Sequence, residues 1–154
     1  MKNIKIIAVG RIKTPHWQDA ATHYVKRLSH FLRLEEVIVR DADPALPALE
    51  RKIREGALIL KQTRPGDTLI CLDEGGKTLD SRSFADFLNR LTTSGKTPCF
   101  AIGGAYGHAP NVLSAAAHTL AFGPMTFPHE LARVVLLEQL YRAECILVDS
   151  GYHH

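Results

Sequence analysis

The sequence predicts an α/β fold in which a mostly parallel β-sheet carries helices on both faces. Short apolar runs rich in β-branched residues alternate with longer stretches whose apolar residues recur every three or four positions. Residues 68–72 and 98–102 are almost wholly apolar, which is typical of strands covered on both faces. Because strand and helix patterns alternate along the chain, the strands are expected to pair in parallel through helical crossovers.

The length and composition predict one domain over residues 1–154. A chain of 154 residues can bury a core without metal or disulfide support. Hydrophobic residues make up 45% of the chain and charged residues 23%, as in an ordinary soluble globular protein. Neither an internal repeat nor a linker divides it.

The first half of the chain predicts two strand–helix units. Residues 4–9 form a strand-sized apolar run, and residues 17–31 carry apolar side chains at the spacing of one helix face. Alternation predicts a second strand over 35–40, and three-to-four spacing predicts a helix over 46–60. The stretch 40–47 between them is expected to be irregular.

The middle of the chain predicts a strand, a loop and a capped helix. A Pro-Gly-Asp turn at 65–67 precedes the strand 68–72. Residues 73–77 are expected to form the loop after that strand. Ser81 is the expected N-cap of a helix that runs to Leu91.

The last third predicts two more strands, 98–102 and 119–122, separated by a short helix over 110–117. A closing helix is predicted over 130–143, and apolar residues cover more than one of its faces. A helix of this kind is buried or packs against a second chain. In so small a chain we expect the helix to form a homodimer interface.

The charge and cysteine content favour a cytoplasmic protein. The formal net charge is +3, from 19 Lys and Arg against 16 Asp and Glu, which permits an RNA partner without arguing for one. The three cysteines lack CxxC spacing and are expected to be buried free thiols in a reducing compartment. Because neither a cationic leader nor an apolar run of membrane-spanning length is seen, no membrane partner is expected.

Several common nucleotide-binding and catalytic motifs are missing from the sequence. The segment after the first predicted strand, residues 10–15, has one glycine and does not match the dinucleotide fingerprint GxGxxG. Neither the phosphate-binding motif GxxxxGK[ST] nor the nucleophile motif GxSxG occurs. These absences disfavour a Rossmann dehydrogenase and a P-loop NTPase. The histidines show no metal-ligand spacing, so no metal site is expected.

Glycine-containing turns follow the predicted strands. Gly103, Gly104 and Gly107 come directly after the strand 98–102, where they either form a tight turn or let a ligand approach the backbone. The acidic residues 73–74 follow the strand 68–72 in the same way. Because α/β proteins bind small ligands at the carboxyl ends of parallel strands, we expect a cofactor site at these turns.

Polar side chains gather at the start of the closing helix. His129 is either a helix N-cap or a catalytic group. Arg133, one turn later, either binds a phosphate or carboxylate or pairs with Glu130. Both interpretations remain open for each residue.

A second polar group lies at the end of the chain. Glu138 and Arg142, four residues apart, either form a salt bridge or contribute to a site. Tyr152 and His153 belong either to a frayed tail or to a site in which they stack on a base and handle a proton.

Taken together, these motifs resemble the ribosomal RNA large-subunit methyltransferase H family of SPOUT-class RNA methyltransferases. The resemblance extends over essentially the whole chain, and its C-terminal string is longer and more specific than any single glycine motif. The matching segments are residues 5–10, 72–73, 76–77, 102–104 with Gly107, 125–129, Arg133, 138–143 and 152–153.

The resemblance implies an S-adenosylmethionine-dependent enzyme that methylates N3 of a pseudouridine in 23S ribosomal RNA on the assembled bacterial ribosome. It also implies a C-terminal trefoil knot that holds the cofactor, and an active homodimer. Residues expected by motif to hold S-adenosylmethionine are Leu72, Gly103, Phe122, Gly123, Pro124, Met125, Thr126 and Phe127. Ala105 and Tyr106 depart from the family pattern, so their side chains are assigned no cofactor role.

The same resemblance suggests catalytic roles for five residues. His129 and His153 are the candidate bases by residue type, and Tyr152 is expected beside His153 on the substrate side. Arg133 and Arg142 are expected to bind RNA phosphate or to polarise a uracil carbonyl. Two other classes stay open: a non-catalytic ribosome- or RNA-binding factor on the same fold, and a nucleotide-using enzyme that acts on a small molecule.

Overall fold

Five parallel strands form the centre of the protein. The computed structural model describes all residues from Met1 to His154. The strands are β1 (Lys2–Val9), β2 (Leu32–Val39), β3 (Asp67–Thr78), β4 (Thr97–Ile102) and β5 (His118–Ala121). They pair in the order β2-β1-β4-β3-β5, and every strand pairing in the sheet is parallel. The predicted α/β class and parallel sheet are therefore confirmed.

Helices cover both faces of this sheet. They are α1 (Pro15–Leu28), α2 (Ala48–Lys61), α3 (Ser81–Thr93), α4 (Pro110–Ala115) and α5 (His129–Leu147). Successive residues of a strand point to opposite faces, so β1 directs Ile4 and Ile6 into a core with α1, α3 and α5. Ile7 and Val9 enter a second core, which α2 and α4 cover.

The sequence-based prediction of a loop over 73–77 is wrong, because β3 continues through these residues to Thr78. The pairing with β5 is irregular there: Leu72 and Lys77 both face Leu120, so the residues between them bulge out of the ladder. A Cβ on Gly76 would come within 2.7 Å of backbone carbon of Thr119 and Leu120. At this bulge β3 lies so close to β5 that residue 76 has no room for a side chain.

Two helix ends also differ from the prediction. Asp80, not Ser81, is the N-cap of α3, since its carboxylate accepts a hydrogen bond from the Ser83 amide at 2.7 Å. Helix α5 continues past Ala143 to Leu147, and it begins at His129. The remaining strands and helices lie where the sequence places them, within a few residues at each end.

Helix α5 lies between α1 and α3 on one face of the sheet. None of its 19 residues is exposed, and Leu136, Leu137 and Leu140 are fully buried. The expectation of a helix with more than one apolar face is confirmed by this packing.

The cysteines agree with a further expectation. Cys71, Cys99 and Cys145 are all buried free thiols. Burial raises the pKa of Cys71 to about 11 and that of Cys99 to about 12. No helix has the length and apolar character needed to cross a membrane.

Candidate functional site

A pocket of about 310 Å³ opens beside the middle of β3 and the ends of β4 and β5. Three chain segments form it: residues 72–74 of β3 with the acidic pair, the glycine turn after β4, and the loop 122–127 after β5. Backbone amides and carbonyls are accessible at such strand ends, as is usual for ligand sites in parallel α/β sheets. The pocket lies at the edge of the sheet where the sequence predicts a cofactor.

The glycine turn is tight and also forms a wall of the pocket. A Cβ on Gly103 would lie 2.7 Å from the backbone carbon of Gly107, and Gly107 itself has a φ of +79°. The Gly107 amide donates to the Gly104 carbonyl at 3.0 Å and closes the turn. The tight-turn interpretation is therefore confirmed, and the backbone of this turn faces the pocket.

His108, which directly follows the glycine turn, is hydrogen-bonded to β4. Its side chain is buried, and its Nε2 lies 3.1 Å from the carbonyl oxygen of Ala101 in β4. Burial lowers the pKa of His108, which favours a neutral imidazole whose Nε2–H donates to that carbonyl. Sequence analysis did not select this histidine, because its role depends on burial and not on a motif.

The loop 122–127 forms the opposite wall. The rings of Phe122 and Phe127 pack edge to face, with centroids 6.1 Å apart, and Gly123 has a φ of +135°. The Thr126 hydroxyl donates to a carboxylate oxygen of Glu74, so the loop is joined to the extension of β3. The result is an apolar surface with exposed main chain, bordered by carboxylates.

Seven of the eight residues predicted to hold the cofactor line this pocket: Leu72, Gly103, Phe122, Gly123, Met125, Thr126 and Phe127. Pro124 belongs to the loop but does not line the pocket. Ala105 and Tyr106, which were given no cofactor role, also lie on the wall. Wall residues that the sequence analysis missed include Ile102, Leu120, Ala121 and Ala132, whose apolar side chains carry no recognisable signal.

The start of α5 borders the same pocket. His129 lines it as the first residue of the helix. Of the two alternatives for His129, the N-cap role is wrong, because Pro128 occupies that position and no side chain caps the helix. His129 is therefore available to a ligand.

Glu130 and Arg133 do not pair with each other, contrary to one sequence-based alternative. The Glu130 carboxylate accepts the amides of Lys13 at 3.1 Å and Thr14 at 3.2 Å, and the Lys13 bond is the main reason that its pKa is lowered. Arg133 pairs instead with Glu36 of β2 at 2.6 Å. Glu130 and Arg133 each contact residues that are distant in the sequence, and they do not form the local i, i+3 pair.

A second polar cluster forms near the end of α5. Glu138 Oε1 accepts from Arg142 Nε at 3.0 Å, from Arg142 Nη2 at 2.7 Å and from the Tyr152 hydroxyl at 3.2 Å. Arg142 Nη1 lies 3.2 Å from His153 Nδ1, and the Arg142 guanidinium lies 4.7 Å from the Tyr152 ring centroid. The predicted Glu138–Arg142 salt bridge is confirmed, and residues 152–153 pack on the helix instead of fraying.

The electrostatics of this cluster fix two protonation states. Hydrogen bonding to Glu138 raises the pKa of Arg142, and burial raises the pKa of Tyr152 to about 12. Because a guanidinium only donates hydrogen bonds, His153 Nδ1 must accept. An imidazole that accepts through Nδ1 can donate through Nε2.

A second cavity of about 600 Å³ lies between α3 and α5. It shares Leu72, Phe122 and Phe127 with the cofactor-sized pocket, and His153 lies on its wall. Arg142 and Tyr152 line neither cavity. Arg142 is the thirteenth residue after His129, which corresponds to about 20 Å along α5.

The fold is α/β, and the pocket lies at the carboxyl edge of three parallel strands. Its apolar walls, accessible main chain and nearby carboxylates are typical of a site for a nucleoside cofactor. No group of three or more His, Cys, Asp or Glu side chains is arranged to hold a metal ion.

A family model described as "Predicted SPOUT methyltransferase" matches residues 1–153, and the chain belongs to this family. The family implies the C-terminal trefoil knot expected above.

Curated relatives extend this family assignment over the full length. One is the ribosomal RNA large subunit methyltransferase H of Nitratidesulfovibrio vulgaris strain DP4, which is 55% identical over 155 residues and aligns with 100% of this chain and 99% of its own. The proteins of the same name from Oleidesulfovibrio alaskensis and Lawsonia intracellularis are 50% and 47% identical. Those alignments cover 100% and 99% of this chain, and 100% and 98% of the relatives.

Among solved structures, the chain is similar to the SpoU methyltransferase AviRb from Streptomyces viridochromogenes, in complex with the cofactor AdoMet. The TM-score is 0.49 at 14% sequence identity, with 92% of this chain and 57% of that longer chain covered.

Proposed function

We propose that this protein transfers the methyl group of S-adenosylmethionine to N3 of a pseudouridine in 23S ribosomal RNA on the assembled ribosome. The observation that carries the proposal is the convergence of seven motif-selected residues on one pocket, with His129 at its margin. The full-length relatives named ribosomal RNA large subunit methyltransferase H support the substrate class.

The residues present suit S-adenosylmethionine. The wall at Gly103 has no room for a side chain, so a ligand can approach the main chain closely there. Phe122 and Phe127 offer apolar surface for a flat base, and Asp73 and Glu74 offer carboxylates for ribose hydroxyls. When bound, the cofactor supplies an electrophilic methyl group on a sulfonium that is already a good leaving group.

The protein's main task in this reaction is alignment and the handling of one proton. N3 of pseudouridine is an imide nitrogen, and it attacks after losing its proton. We assign the base to His129, which lines the pocket and makes no hydrogen bond to the protein. His153 accepts through Nδ1 in this arrangement, so it is suited to donate through Nε2 to a uracil carbonyl.

Arg142 and Tyr152 act with His153 on the substrate side. Glu138 holds the Arg142 guanidinium through two hydrogen bonds, and this leaves Nη1 directed to His153. A guanidinium fixed in this way stabilises negative charge on the uracil ring after N3 loses its proton. Arg133 is proposed to contact RNA phosphate from its position beside Glu36.

The active unit is proposed to be a homodimer. The cavity between α3 and α5 is lined by Leu79, Phe84 and Val135 among other apolar side chains, and it adjoins the cofactor pocket. A second copy of the chain that covers this cavity would bury apolar surface and complete the site. An enzyme that acts on ribosomes is expected in the cytoplasm.

Methyl transfer from labelled S-adenosylmethionine to ribosomes that lack the modification tests the function directly. We expect label in large-subunit RNA at a single pseudouridine, and no label on free nucleosides. Cofactor binding without RNA labelling would contradict the substrate assignment. Failure to bind the cofactor would leave only a non-catalytic role on the ribosome.

A further inference from the structure

Four basic side chains lie along the carboxyl edge of the sheet, beyond the cofactor pocket. Arg11 and Lys13 belong to the loop after β1, Arg40 follows β2, and Arg133 lies in the second turn of α5. They line two adjoining grooves that share Arg11. We call these four residues the basic rim.

Three of the four cations have no acidic partner. Arg11, Lys13 and Arg40 are exposed and form no salt bridge or side-chain hydrogen bond, whereas Arg133 pairs with Glu36. The nearby Glu130 carboxylate is occupied by two backbone amides. Glu36 and Asp41 are the carboxylates that line the two grooves, against the four cations of the rim, so positive charge is in excess there.

The loop that carries Arg11 and Lys13 is held in a fixed position. The Gly10 amide donates to the Val39 carbonyl at 2.9 Å, which joins the ends of β1 and β2. The amides of Lys13 and Thr14 donate to Glu130 in the first turn of α5. Because His129 is the preceding residue and lines the cofactor pocket, the loop has a defined position relative to the reaction centre.

Arg133 adds a donor that has no partner within the protein. Its side chain is 12% exposed, and its Nε is buried without a hydrogen-bond partner. A buried guanidinium nitrogen left in this state is costly unless a ligand or water satisfies it. The groove beside Arg133 also contains Arg11 and Gln18, so an acceptor there would meet several donors.

We propose that the basic rim binds the phosphate backbone of ribosomal RNA that flanks the target nucleotide. The inference deepens the proposed function and rests on it. Phosphate contacts from Arg and Lys position a protein on nucleic acid without reading sequence. The rim begins next to His129, so RNA bound along it would lead into the cofactor pocket.

The test compares two triple variants with the wild-type protein. One carries R11A, K13A and R40A. The matched control carries K61A, R90A and K96A, which removes the same charge from exposed, unpaired side chains near the amino ends of β3 and β4, at the opposite edge of the sheet. Binding to large ribosomal subunits and to protein-free 23S RNA is measured by cosedimentation and filter binding over about 50–200 mM salt.

We expect the rim variant to bind both RNA probes about tenfold more weakly, with a salt slope reduced by about 2. Its affinity for S-adenosylmethionine and its thermal midpoint should match the wild type, and the control should bind RNA normally. Equal losses in both variants, or an unchanged salt slope, would overturn the proposal. Weaker binding to subunits with unchanged binding to free RNA would also overturn it, in favour of an acidic ribosomal protein.

These binding measurements do not depend on turnover. Wild-type methylation of ribosomes tests the proposed function, whereas the difference between the two triple variants tests the rim. In an active enzyme, the rim variant should raise KM for ribosomes about tenfold while kcat stays within about twofold of the wild type.

Discussion

Gly103 shows at the scale of one residue how the backbone shapes the site. The nearest atoms to an added Cβ would be backbone atoms of Gly107, the closest at 2.7 Å, and backbone gives way less readily than the end of a side chain. We expect Gly103→Ala to weaken S-adenosylmethionine binding at least about tenfold, measured by titration calorimetry. The reason is that the turn must open before a methyl group fits, and the pocket wall moves with it.

Gly95→Ala provides the control for this prediction. Gly95 has a φ of +78° and no atom within 4 Å of an added Cβ, and it lies before β4 at the far edge of the sheet. Its substitution should cost about 1–2 kcal/mol of stability through left-handed strain while cofactor affinity stays unchanged. Normal affinity in Gly103→Ala would show that the turn does not form the cofactor site.

The raised pKa of the Tyr152 hydroxyl leads to a prediction about the pH dependence of the methylation rate. Burial raises its pKa to about 12, so about one molecule in 10⁴ is ionised at pH 8, too few for a catalytic base. Tyr152→Phe keeps the ring packed edge to face against Tyr141, with centroids 4.8 Å apart, and removes only the bond to Glu138. We expect the variant to lower kcat by a few fold and to keep the shape of the pH–rate profile from pH 6 to 9. Loss of an alkaline limb in Tyr152→Phe would assign the base to this tyrosine instead.

At the scale of elements, α5 is joined to the loop after β1 through Glu130. The carboxylate accepts two amides, and Glu130→Gln replaces a charged acceptor with a neutral one. We expect the variant to melt about 2–4 °C lower at pH 7, measured by calorimetry, with faster amide exchange at Lys13 and Thr14.

The pH dependence of this difference follows from the direction of the pKa shift. The pKa of Glu130 is lowered from 4.5 in the folded protein, so its contribution is complete above about pH 4.5 and is lost as the pH falls below that value. The two proteins should therefore melt alike in stronger acid. Glu50→Gln, which breaks the exposed Glu50–Arg54 pair on α2, should leave melting unchanged. A difference that stays constant down to pH 2 would rule out the carboxylate as its cause.

Elements were easier to predict from the sequence than the contacts between them. The apolar strand β4 and the helix α5 are evident because their periodicity and length are local properties. The continuation of β3 past Leu72 was missed, because Asp73 and Glu74 are typical loop residues and the pairing of Lys77 with Leu120 is a tertiary contact.

The residues of the site also differ in how well the sequence predicted them, depending on whether their roles rest on local motifs or on tertiary contacts. Motif matching selected the loop 122–127 and Gly103 correctly as neighbours on one pocket, because family motifs record main-chain geometry. Local i, i+3 spacing offered Glu130 as one alternative partner for Arg133, and this was wrong, since the actual partner Glu36 is 97 residues away. His108 was passed over because only burial against Ala101 gives it a role.

At the scale of the whole molecule, the two parts of the site lie too far apart on α5 to meet without help. His129 borders the cofactor pocket, and Arg142 lies about 20 Å further along the same helix. An isologous dimer that packs two α5 helices antiparallel would bring the Glu138 cluster of one protomer to the pocket of the other. We therefore predict that each active site combines groups from both protomers.

Mixing two variants, each impaired in a different part of the site, tests this arrangement. Gly103→Ala disables the cofactor pocket, and Glu138→Gln releases Arg142 and Tyr152 while leaving the pocket intact. After unfolding and refolding together, heterodimers in a shared-site enzyme contain one site with an intact pocket and an intact cluster. Ribosome methylation should then recover to about a quarter of the wild-type rate, since about half of the dimers are mixed and each has one working site. Glu50→Gln, which removes the equivalent i, i+4 pair from α2, should be active alone and serves as the control. The opposite result is no recovery of activity in a mixture that light scattering shows to be dimers of about 34 kDa, twice the chain mass of 17.1 kDa. Each site would then lie within one protomer, with His153 as the one residue of the cluster that contacts the cavity beside the pocket.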